Sequence, residues 1–122
     1  MSKKTSKNSG SAISPLMKTL ATYMAGAAKK PLPKAVAEKT KHHVLDTIAA
    51  MVSGSRLLPG RKAINYVKTL GGKPEAIVIG TKILVNAEQA ALANGMLAHA
   101  DETDDSHAPS LSHPGCAVVP AA

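Results

Sequence analysis

Residues able to do chemistry concentrate in one stretch of this sequence. Between His99 and His113 stand four of the chain's eight carboxylates and three of its five histidines: Asp101, Glu102, Asp104 and Asp105 with His99, His107 and His113. Carboxylates this close repel one another, so folding them into a cleft raises their proton affinity unless hydrogen bonds or cations compensate. Functional sites hold such arrangements more often than structural turns do. Three readings fit the residue types. A solvated acidic turn needs no function at all. A divalent-cation site would mix nitrogen and oxygen ligands from His99, Asp101, Asp105, His107 or His113. No i, i+4 histidine pair, HExxH or His-Asp dipeptide supports that set, and no metal ligand is assigned. General acid/base catalysis needs one imidazole held against the reacting atoms and oriented by carboxylates and hydroxyls. His113, between Ser112 and Pro114 at the entrance to an apolar segment, is placed for this role.

Neighbouring residues have simpler readings. His99, at the end of a small-residue helix, reads as a packed or capping histidine. Asp104 and Asp105 have a structural alternative, accepting backbone N–H bonds around the turn. Cys116 reads as a small core residue rather than a nucleophile.

The elements that must hold this segment are helices. Ser14-Pro15 supplies an N-cap and a proline at the first helical position, with Leu16, Leu20 and Met24 recurring every four residues, so a first helix runs to about Lys29-Lys30. A second begins at Leu32-Pro33, with Val36, Thr40, Val44, Ile48 and Met51 as an apolar stripe widened by Leu45 and Val52, and stops at Gly54. A third, shorter helix spans Pro59 to Leu70, with Ile64, Val67 and Leu70 inward. The β-branched run over residues 75–80 is a lone short strand or an extended connector. Asn86 and Gln89 have the form of a capping box for a fourth helix, Ala87 to about His99. Its interior Gly95 costs about 1 kcal/mol relative to Ala, which close approach of another backbone would offset. A fifth helix begins after His113-Pro-Gly and is cut short.

Composition agrees with an all-α chain. The 122 residues allow one small domain, and 44% of them are apolar, but 21 are Ala and the only aromatics are two Tyr. The core is therefore thin, suited to closely packed helices rather than a β-sandwich. A single cysteine excludes an internal disulfide. No apolar run approaches the roughly 20 residues of a membrane span, and the N-terminus lacks the apolar centre of a signal peptide, so no membrane is expected and the default location is cytoplasmic. The net charge of +7 is lopsided: all 15 Lys and Arg lie at or before Lys82. With Arg56 and Arg61 the only arginines and Tyr23 and Tyr66 the only stacking rings, no nucleic-acid partner is expected. Residues 1–13 read as a disordered basic tail, and 14–122 as an incomplete helical domain. The apolar, uncharged stretch Gly115–Ala122 reads as a chain stopping inside a buried element or docking against another chain.

Residues 94–122, NGMLAHADETDDSHAPSLSHPGCAVVPAA, resemble the MmgE/PrpD family, whose N-terminal region carries AHA-x-(D/E)-x-DD-(T/S)-H, then HPG and an apolar helix. A looser likeness extends back to about Pro15 through MVSG and IVIGT. The resemblance implies the N-terminal part of a large helical domain: about four helices plus a truncated fifth, with a short strand near 75–80. It implies cofactor-independent lyase or isomerase chemistry on a small polycarboxylic acid, in a homodimer. Activities of this family include 2-methylcitrate dehydration, cis-aconitate decarboxylation and epimerisation of an imino diacid. By position, His113 matches the acid/base histidine, Glu102 and Ser106 match an acidic and a hydroxyl residue of the site, and Asp104, Asp105 and His107 fill its loop pattern. Glu102 and Ser106 stand where many relatives have Asp and Thr, and the stretch from His107 to His113 is longer than in some. The family's catalytic lysines lie beyond Ala122, so Lys62, Lys68 and Lys82 are not assigned that role, and the isolated chain is expected to be inactive. The alternative, from a different class, is a non-catalytic helical module or remnant that pairs with another chain.

Overall fold

The computed structural model describes residues 13–122, so the basic tail expected at the N-terminus lies, Ile13 apart, outside the described residues. The protein is mainly α-helical, with five α-helices and one two-stranded antiparallel sheet among the described residues. Two compact units divide it, one ending at Pro33 and the other spanning Lys34–Ala122.

The first unit holds α1, Pro15–Ala27. The Ser14 hydroxyl accepts the Met17 N–H at 3.2 Å and Pro15 occupies the first turn, so the start is the one its sequence specifies. Its end falls short of the expected Lys29-Lys30, which sit in i→i+3 turns closed on Gly26 and Ala27. None of its residues is buried.

The second unit contains α2 (Lys34–Gly54), α3 (Leu58–Val67), β1 (Ala76–Ile77), β2 (Leu84–Val85), α4 (Ala87–Ala98), a 3-10 turn (Ala108–Ser110) and α5 (Gly115–Ala121). Helix α4 is its centre and packs against α2, α3 and α5. The expected capping box is half present: Asn86 Oδ1 accepts the Gln89 N–H at 2.9 Å, while Gln89 Oε1 is buried without a partner. The small residues of α4 let its neighbours come close. A Cβ at Gly54 would overlap the Leu97 carbonyl, and one at Gly95 would stand 2.9 Å from the Cys116 carbonyl oxygen. The latter is the backbone approach that offsets an interior glycine.

This contact corrects the expected face of α2. Thr47, Ala50, Met51 and Gly54 are its buried residues, whereas Val36, Val44, Leu45, Ile48 and Val52 are exposed. Met51 is the member of the expected stripe that reaches the core, and it is joined there by the small side chains of Thr47, Ala50 and Gly54, which fit close against α4. Leu70 is likewise exposed instead of inward, because α3 ends at Val67.

The run at 75–80 supplies β1, and its partner is β2, so the segment is a hairpin rather than a lone strand. Ala76 pairs with Val85 and Ile77 with Leu84. Val78 and Val85 enter the core beside Met51, Val67 and Leu97. Asn94, buried in α4, fastens the hairpin by accepting the Ile79 N–H at 2.9 Å and donating to the Ile77 carbonyl at 3.1 Å.

Candidate functional site

The histidine-carboxylate segment leaves α4 at His99, whose backbone N–H closes on the Gly95 carbonyl at 3.2 Å, so His99 does cap the helix. The chain then turns, with Glu102 exposed and at φ 56°. Asp101 ties this turn to the end of α2. Its carboxylate accepts the Thr103 hydroxyl at 2.7 Å and the Ser53 hydroxyl at 2.8 Å. Those two bonds, Thr103 foremost, hold its pKa below the usual carboxylate value against a smaller opposing effect of burial.

Asp104 points inward and its side chain is completely buried. Its Oδ1 lies 3.2 Å from His99 Nδ1 and 3.4 Å from His113 Nδ1. The first contact has hydrogen-bond geometry. The second has ion-pair distance without it, so His113 Nδ1 has no hydrogen-bond partner, and neither has the other carboxylate oxygen, Asp104 Oδ2; both atoms are buried. The two rings stand 5.0 Å apart, tilted by 57°. His99 is about half exposed, at 46% of its side chain, and His113 less so, at 33%. The donor atoms of His99, Asp104 and His113 all lie within 4.8 Å of one another, the one such grouping of metal-ligating side chains among the described residues.

Asp105 has the structural role that was its alternative. Its Oδ1 accepts the Gly115 N–H at 2.7 Å and so caps α5 from ten residues upstream, where Pro114 brings no capping side chain. A Cβ at Gly115 would overlap that carboxylate and stand 2.8 Å from the buried Thr47 hydroxyl of α2. Glycine after His113-Pro114 is therefore a packing requirement. His107 and Ser106 are exposed. The His107 ring meets the Ser110 hydroxyl at 2.7 Å, and the His107 backbone N–H donates to the Ser112 carbonyl at 2.8 Å, closing the small loop that delivers His113.

Cys116 donates its thiol to the His113 carbonyl at 3.0 Å. Burial first, then the neighbouring carboxylates of Asp104 and Asp105, raise its pKa, which suits a packed thiol and not a thiolate nucleophile. An open depression of about 440 Å³ adjoins the cluster, lined by Leu92, Gly95, Met96, His99 and Cys116 among others. It holds no cation. Among the described residues the Lys ion pairs are Lys41 with Glu38 and Lys73 with Glu75, and no Lys or Arg pairs with an acid of the loop.

The fold thus gathers His99, Asp104, His113 and Cys116, while no hydrogen bond joins Glu102, Ser106 or His107 to His113 among the described residues. Sequence reasoning missed His99 as a partner of Asp104. The available signal was their five-residue separation across a helix end, which lets the chain fold back on the capping ring.

What these features define is a small-residue helical domain presenting a histidine-backed carboxylate turn. The family model for the MmgE/PrpD N-terminal domain matches residues 18–122, and the chain belongs to that family. No curated protein and no solved structure matched it.

Proposed function

We propose that this chain supplies the acid/base wall of a lyase or isomerase site, needing no cofactor, that acts on a small polycarboxylic acid. The observation that carries this reading is His113, held at the mouth of the turn with Nδ1 toward a fully buried carboxylate. That arrangement, on a segment of matching family pattern, leaves Nε2 to face a reactant. His113 moves the proton at carbon. Asp104 is a positioning residue: placed 3.4 Å from Nδ1, it accepts a hydrogen bond from Nδ1–H in the working site, which fixes the tautomer and leaves Nε2 basic. This replaces substrate binding as the role of Asp104, whose side chain is wholly buried. Asp105 is likewise a capping residue. Glu102, Ser106 and His107 remain the exposed groups of the loop for substrate contact.

A polycarboxylate is repelled by Asp101, Glu102 and Asp105, so the site needs cations. They come from protein outside residues 13–122, or from a second copy of the chain in a homodimer. The test is to purify the protein in its cellular assembly and incubate it in D₂O with tricarboxylates of the 2-methylcitrate and cis-aconitate class. NMR should show deuterium entering at carbon beside a carboxylate, or loss of water or CO₂. An assembly that binds these acids and neither exchanges nor converts them would refute the proposal.

A further inference from the structure

We propose that His99, Asp104 and His113 form a binding site for a zinc-class divalent cation, whose occupation takes His113 out of proton transfer. The distances have the right scale. A tetrahedral ion with bonds of about 2.0 to 2.1 Å has ligand-to-ligand edges of about 3.3 to 3.4 Å. Asp104 Oδ1 stands 3.2 Å and 3.4 Å from the two Nδ1 atoms. The donor atoms of all three residues lie within 4.8 Å of one another, and a turn of the half-exposed His99 ring would shorten the remaining edge.

A second observation points to a ligand. Asp104 Oδ2 and His113 Nδ1 are buried and lack hydrogen-bond partners. Burying either group without a partner is unfavourable. A cation held by Asp104 Oδ1 takes His113 Nδ1 as a ligand and so satisfies that atom, and it engages Oδ2 as well where the carboxylate binds through both oxygens. Two imidazoles and one carboxylate are a borderline donor set, suited to Zn²⁺ or Co²⁺ rather than Mg²⁺ or Ca²⁺. Cys116 stays outside the set because its thiol is committed to the His113 carbonyl. With Nδ1 on a metal, the His113 ring keeps its proton on Nε2 and has no basic nitrogen left, so the bound ion and the free general base exclude each other.

The test uses metal alone and needs no turnover, so it stands or falls apart from the catalytic reading. The untagged 122-residue chain is freed of metal with a chelator, titrated with Co²⁺ and followed by visible absorption, with circular dichroism reporting the fold. One Co²⁺ per chain should bind with the intense d–d bands of a four-coordinate ion, and Zn²⁺ should displace it. His99→Ala and His113→Ala should each weaken binding by at least about 100-fold, more than changing an outer-shell partner does. His99→Ala removes an exposed ring and is the variant safest for the fold. His107→Ala and Cys116→Ser should bind as wild type. A helical chain that gives no saturable Co²⁺ bands would overturn the site, as would bands that survive His99→Ala or vanish with His107→Ala or Cys116→Ser.

Discussion

At the scale of single residues, four acids that look alike in sequence have four different surroundings. Glu102 faces solvent, Asp104 is buried between two imidazoles, Asp105 caps α5, and Asp101 staples the turn to α2. Sequence marks the segment as unusual because acids and histidines crowd together, but it does not say which acid turns inward. That depends on where α4 ends and how far the chain must travel to start α5. Asp101 gives a pH prediction. Its pKa is lower folded than unfolded, so its contribution to stability is present above the unfolded value and is lost as pH falls through the folded one. Asp101→Asn should therefore lower the melting temperature at about pH 7 and lower it by less at about pH 3, where protonation has begun to remove the contribution of the carboxylate. The shift should be small, since its hydroxyl partners lie near the surface. An equal shift at both pH values would show that the charge is irrelevant.

Among the elements, what was legible was whatever local chemistry decides. Ser14-Pro15 and Asn86 mark the starts of α1 and α4, Gly54 marks the end of α2, and His113-Pro-Gly precedes α5. What was not legible depends on the partner. The buried face of α2, against the Ala-rich α4, takes Thr47, Ala50, Met51 and Gly54 and leaves Val44 and Ile48 outside. Strand β2 is two residues between Ile83 and Asn86, too short to show alternation. Asn94 in an alanine helix gave no hint that it holds the hairpin. Asn94→Ala should leave the Ile79 N–H and the Ile77 carbonyl buried and unpaired, destabilising the domain by about 1 to 3 kcal/mol in denaturant titration. Exchange of the Ile79 amide should accelerate more than that of Leu97. A neutral substitution would mean that water reaches both groups and the staple is not needed.

In the molecule as a whole, charge and chemistry are separated along the chain. Every Lys and Arg lies at or before Lys82, and the acidic turn follows. No helix among the described residues is long and apolar enough to cross a membrane. In the second unit, the exposed row Val44, Leu45, Ile48 and Val52 on α2 gives the domain an apolar face beside its polar turn. A domain of this kind makes one wall of a site, and the central claim is that the wall works through His113. The most direct measurement is turnover of the tricarboxylate substrate by the native assembly carrying His113→Asn, with melting temperature and assembly size recorded in parallel. Turnover should fall by about 10² to 10⁴-fold, the range for loss of a general acid or base, while stability and assembly stay close to wild type. Activity within a factor of a few of wild type would contradict the account, because a proton would then be moving without the imidazole that the whole turn is folded to hold.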